Sequence, residues 1–78
     1  MDSVSQLRTF LHVAERGSFT RAAESLGLPK ASVSLAVQRL EAALGTQLLH
    51  RTTRRVQLTA DGEQLFQRAR DLLDDMED

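Results

Sequence analysis

Residues 18–40 read SFTRAAESLGLPKASVSLAVQRL, and their spacing decides the fold. Ser18 is a favoured N-cap, and Ala22, Ala23 and Leu26 share the inner face of a short helix running to about Leu26, where Gly27 stops it. Pro29 falls near the first turn of a following helix, a position where the missing amide costs nothing. In that helix Val33, Val37, Leu40 and Leu44 recur at +4, +3, +4, which predicts a continuous buried stripe. Ala31, Ser32, Ser34, Leu35, Gln38 and Arg39 occupy the opposite face. Two helices that cross closely need a small residue in the first, a residue tolerant of positive φ in the turn, and an apolar anchor in the second. Ala23, Gly27 four positions later and Val33 six beyond that meet the three requirements, with Ala22, Leu26 and Leu28 filling the remaining inner positions. The pattern is that of a helix-turn-helix.

Working outward, Leu7, Phe10, Leu11 and Ala14, widened by Val13, form the apolar stripe of an earlier helix over roughly 4–16, ended by Gly17. After the central helix closes at Gly45, two strand-like runs, Gln47–His50 and Val56–Leu58, flank Arg51, Thr52, Thr53, Arg54 and Arg55. Such a pair predicts a hairpin with a basic, polar tip. Thr59 then caps a last helix over about 60–77, with Asp61 and Glu63 placed favourably against its dipole. This helix carries Leu65, Phe66, Ala69, Leu72, Leu73 and Met76, and the +4, +3, +4 spacing of Leu65, Ala69, Leu72 and Met76 is that of a helix-pairing seam. The expected class is mainly α: a winged helix-turn-helix of three helices plus a β-hairpin wing over 1–58, followed by a long linker helix over 59–78 that pairs with a second copy.

Bulk composition bounds the function. Seventy-eight residues, 41% of them hydrophobic, make one small domain, and the absence of cysteine excludes a disulfide framework or a thiolate metal site. No apolar run approaches a membrane span and the start of the chain lacks a signal-peptide layout, so a cytoplasmic setting without membrane contact is expected. The net charge of −1 conceals a partition. Residues 1–58 hold eight Lys/Arg against four Asp/Glu, a net of +4, whereas residues 59–78 hold two Arg against seven Asp/Glu, a net of −5. Catalysis is not expected, nor is any cofactor. His12 and His50 are separated by the whole helix-turn-helix, Glu15 follows His12 by one turn without a further ligand, and Asp74, Asp75, Glu77 and Asp78 read as a solvated helix end.

A basic body with a helix-turn-helix points to duplex DNA. The first half of such a second helix presents Lys30, Ala31, Ser32, Ser34, Leu35 and Gln38 to the major groove. Gln38 suits an adenine edge, the serines suit bases or phosphates, and Ala31 or Leu35 suits a thymine methyl. Ser18, Thr20 and Arg21 stand where a helix start can hold a phosphate, and Arg54 and Arg55 where a wing tip can follow the backbone or enter a narrow minor groove. Two rival readings remain at this level: a winged helix that grips another protein, and an architectural binder without sequence preference.

The stretch from Leu7 to Phe66, LRTFLHVAERGSFTRAAESLGLPKASVSLAVQRLEAALGTQLLHRTTRRVQLTADGEQLF, resembles the N-terminal domain of LysR-type transcriptional regulators, and the likeness extends over about 4–75. Its marks are GSFTRAAESL, LEAALGTQLLHRTTRRVQLTADG and the Val33–Ser34 pair. The resemblance implies homodimers whose linker helices pair, binding to interrupted inverted repeats in promoters. It implies DNA-contact roles for Ser18, Thr20, Arg21, Lys30, Ala31, Ser32, Ser34, Leu35, Gln38, Arg51, Thr53 and Arg54. Many members carry Gln or Asn where Lys30 stands and Arg or another polar residue where Leu35 stands, so base reading here is expected to lean on van der Waals contact and DNA shape. Members also continue into an effector-binding domain, which this chain is expected to lack.

Overall fold

The computed structural model describes residues 3–50 and 56–77, with side chains described as far as residue 72. In chain order the elements are α1 (Ser3–Arg16), α2 (Phe19–Leu26), α3 (Lys30–Leu44), β1 (Leu49–His50), β2 (Gln57–Leu58) and α4 (Ala60–Glu77). The class is therefore mainly α with a small antiparallel hairpin, as expected. Within the hairpin Leu49 pairs with Leu58 and His50 with Gln57.

Apolar spacing turns into packing on α1. Phe10, Leu11 and Val13 are buried and meet Ala22, Ala23, Val33, Val37 and Leu40 from α2 and α3. Burying each large aliphatic or aromatic side chain of this set contributes about 1.5–3 kcal/mol. Thr9 shares this buried face because its hydroxyl donates to the Ser5 carbonyl at 2.8 Å, which satisfies the polar atom within its own helix. Leu48 and Leu49 close the core from the hairpin side, and Ala69 closes it from α4.

The turn between α2 and α3 follows the residue pattern. Gly27 takes φ 68° and ψ 33°. Its amide donates to the Glu24 carbonyl at 3.3 Å, and the Leu28 amide donates to the Ala23 carbonyl at 3.0 Å. This is the Schellman arrangement, which needs a left-handed residue at the glycine position and lays Leu28 back over the helix it has just left. Pro29, extended at φ −61° and ψ 145°, is the N-cap of α3 rather than a residue of its first turn.

Three expectations need correction. Leu44 does not extend the buried stripe of α3, being 52% exposed; it is the last helical residue before the chain reverses at Gly45, and half of it remains uncovered. Ala36 joins Val33, Val37 and Leu40 on the inner face instead. The strands are shorter than 47–50 and 56–58, because the amides at the start of the first run are taken by a side chain of α3. The Leu48 and Leu49 amides donate to the Glu41 carboxylate at 2.8 and 3.3 Å, while the Leu48 carbonyl keeps a hairpin partner, the amide of Thr59 opposite it at 3.0 Å. Finally, Ala69 is 1% exposed within the single chain, and Leu65 and Phe66 pack on the same core. An alanine so enclosed has no surface left for a second copy, so Ala69 drops out of the expected seam. Leu72, 61% exposed, remains available to it, whereas the side chains of Leu73 and Met76 lie outside the described residues.

Candidate nucleic-acid interface

Two surfaces carry the side chains singled out in the sequence. The first is built where α1 ends and α2 begins. Ser18, extended at φ −160°, caps α2 by accepting the Arg21 amide at 3.1 Å on its hydroxyl oxygen. The cap fixes the start of the helix, whose dipole favours an anion there. Thr20 and Arg21 on the first turn are exposed. Beside them lies a groove of about 550 Å³ lined by Ala14, Glu15, Arg16, Gly17, Ser18, Arg21 and Val56. Val56 is the first described residue after 51–55, so the start of α2 and the returning end of the hairpin meet at this groove.

The cations of the groove differ in their engagement. Arg16 faces Glu15 at 3.8 Å and its guanidinium lies 3.1 Å from His12 Nδ1. Arg21 has no ion-pair partner among the described residues. An exposed guanidinium without a carboxylate partner is free to take an external anion, and its planar fork matches phosphate oxygens.

The second surface is the outward side of α3. An α-helix turns about 100° per residue, and with Val33, Ala36, Val37 and Leu40 buried, the direction opposite to them carries Ala31, Leu35, Gln38 and Ala42, all exposed. Lys30 is exposed at the N-terminal edge of this face, where Pro29 provides no side-chain cap. Ser32 and Ser34 flank it and are half-buried, which leaves them less surface to offer than their neighbours. Arg39, omitted from the expected contact residues, is exposed one turn after Leu35, and neither it nor Lys30 has an ion-pair partner among the described residues. Its position on the outer side of the helix was the signal that could have included it.

The hairpin is tied to α3 and α4 by contacts that single-residue reading does not reveal. Glu41, on α3, binds the two amides that lead into β1. Thr59 donates its hydroxyl to the Gln47 carbonyl at 2.7 Å and accepts the Gly62 amide at 2.9 Å, capping α4 as expected. Thr46 donates to Asp61 at 2.6 Å. The expected contacts Arg51, Thr53, Arg54 and Arg55 lie outside the described residues.

Among the described residues no group of three or more His, Asp or Glu is placed to hold a metal ion, and no helix is long and apolar enough to cross a membrane. What the two surfaces offer is hydrogen-bonding, cationic and apolar side chains on an exposed helix face and at a capped helix start, an arrangement suited to binding a polyanion with a patterned edge.

Comparison with known proteins agrees with that geometry. The family model described as bacterial regulatory helix-turn-helix protein, lysR family, matches residues 4–63. The Escherichia coli K12 HTH-type transcriptional regulator YhjC is 51% identical over 76 residues, which is 97% of this chain and 25% of that protein. The crystal structure of the BenM DNA-binding domain with benA site 1 DNA superposes with a TM-score of 0.93 at 39% identity, over 99% of this chain and 85% of that one. The CbnR DNA-binding domain in its DNA complex superposes with a TM-score of 0.87 at 38% identity, over 95% of this chain and 84% of that one. The chain spans about a quarter of the length of the curated relatives it matches. Those relatives are named as transcriptional regulators and not as enzymes, in line with the expectation that no catalysis resides here. By the extent of the family match and by its near-complete coverage in the superpositions, the chain belongs to the LysR family of bacterial regulatory helix-turn-helix proteins.

Proposed function

We propose that the chain is the operator-reading part of a cytoplasmic transcription regulator, binding duplex DNA in a sequence-specific manner as a homodimer. The observation that carries this reading is the outward face of α3: Lys30, Ala31, Leu35 and Gln38 all stand exposed on one helix, with no cover among the described residues. Its overlay on a relative crystallised with DNA supports placing that helix in a major groove. In this reading Gln38 bonds an adenine edge and Lys30 lies near the backbone. Ser18, Thr20 and Arg21 hold a phosphate at the start of α2, and Arg51, Thr53, Arg54 and Arg55 extend the contact from the hairpin onto the backbone or the minor groove. Pairing of two copies falls to α4 beyond Ala69, with Leu72 at its centre. The site sought would then be an inverted repeat in a promoter, and residues 1–58 and 59–78 would divide the work between reading and spacing.

Selection of random duplex DNA on the purified chain, followed by titration of the enriched sequences at several salt concentrations, tests the proposal. An enriched inverted repeat is expected, with affinity falling steeply as salt rises, because each neutralised phosphate releases condensed counterions. Salt-sensitive retention without enrichment would remove sequence reading from the account. No retention at low salt would favour the protein-gripping alternative.

A further inference from the structure

We propose that Leu35 reads a thymine through its C5-methyl group, so that the preferred operator contains, in each half-site, one thymine whose methyl is required. The inference rests on the DNA-reading function proposed above and names what one position of that surface recognises.

Among the described residues Leu35 has no packing role in the core. It lies on the side of α3 opposite to Val33, Ala36, Val37 and Leu40, is 45% exposed, and is absent from the core and from the side chains packed against it. Ala31 precedes it by one turn and Gln38 follows by three residues, both exposed, so it stands in the middle of the surface that would meet base edges. Beside it the structure has a hollow of about 150 Å³ lined by Ser32, Leu35, Ala36 and Arg39. Two of these lining residues are aliphatic, and the other two carry a hydroxyl and a guanidinium.

The chemistry of base edges selects the ligand. In the major groove guanine, cytosine and adenine present acceptors and donors, whereas thymine alone adds an apolar methyl group. A leucine pressed against a donor or acceptor strips its water and returns no hydrogen bond, which is unfavourable. Against the methyl it buries apolar surface on both partners. Arg39, unpaired among the described residues and one turn further along the same hollow, is placed to hold a neighbouring phosphate or base while the methyl enters. An aliphatic side chain beside polar ones thus discriminates by what it cannot bond as much as by what it contacts.

Replacing thymine by deoxyuridine removes the methyl and leaves base pairing intact. The selected duplex is titrated with the chain by fluorescence anisotropy, each thymine being exchanged in turn. One thymine per half-site is expected to show a loss of about fourfold, the value of one buried methyl-sized group, while the other exchanges change affinity by less. With Leu35→Ala the loss at that thymine shrinks to near unity. Alanine is the stronger helix former, so the exposed substitution leaves the fold intact, as a circular-dichroism melt verifies. Selective binding that is indifferent to deoxyuridine at every thymine, or an equal loss in Leu35→Ala, overturns the assignment to Leu35 while leaving sequence reading in place. Failure to select any duplex overturns both.

Discussion

Gly62 is buried in the first turn of α4, and a Cβ built there would overlap the backbone carbonyl of Leu48 and press on Leu58. The opposing atoms are main chain, held on one side by Glu41 through the Leu48 amide and on the other by Thr59 through the Leu48 carbonyl, so they cannot move aside cheaply. Gly62→Ala is therefore expected to destabilise the chain by about 1–3 kcal/mol, in spite of alanine's better helix propensity. Urea unfolding checks this, and an unchanged midpoint would mean that α4 can slide away from the hairpin at little cost. Nothing in the sequence near Gly62 foretold the role, because its crowding partner lies fourteen positions earlier. Gly27 was legible for the opposite reason: its partners, Ala23, Glu24 and Leu28, are its own sequence neighbours, and a turn of that kind is local chemistry. Glu41 was illegible like Gly62, since a glutamate on a helix reads as solvated surface until the strand it anchors is in place.

At the scale of elements, periodicity located the helices well but could not say what would cover each face. The spacing of Leu65, Ala69, Leu72 and Met76 is equally compatible with packing onto α1 and with pairing to a second copy. The structure divides it: α4 lies against α1 and buries Ala69, while Leu72 stays 61% exposed. The same limit explains Leu44, whose azimuth on α3 is correct but which sits where the helix ends. The division of α4 leads to a prediction in two parts. Leu72→Asp is expected to leave the fold stable and give monomers in sedimentation velocity, since an unpaired charge at a helix seam opposes association. Ala69→Asp is expected to unfold the chain instead, because its carboxylate would be buried among Phe10, Val13 and their neighbours with no partner. A Leu72→Asp chain that remains dimeric would move the proposed interface off this part of α4.

Taken whole, the molecule separates its charge along the chain, with +4 on residues 1–58 and −5 on 59–78, so the net value of −1 says little about the face it offers. Arg21, Lys30 and Arg39, without an ion-pair partner among the described residues, belong to the first part, on α2 and α3, whereas Asp74, Asp75 and Glu77 belong to the far end of α4. The fold class, the order of elements and the outward face of α3 were all legible, because they follow from local spacing. The coupling of hairpin, α3 and α4 through Glu41, Thr46, Thr59 and Gly62 was not, because it joins residues far apart in sequence. In the proposed function, that coupling would keep α3 and the hairpin in fixed register on one duplex. If α3 supplies the base readers, Gln38 is the side chain whose loss reports it. The random-duplex selection is repeated with Gln38→Ala. The account predicts that preference disappears at one base pair, an A·T pair, in each half-site, with a loss of about 1–3 kcal/mol of discrimination there and the remaining positions unchanged. An identical consensus selected with identical affinity would contradict it.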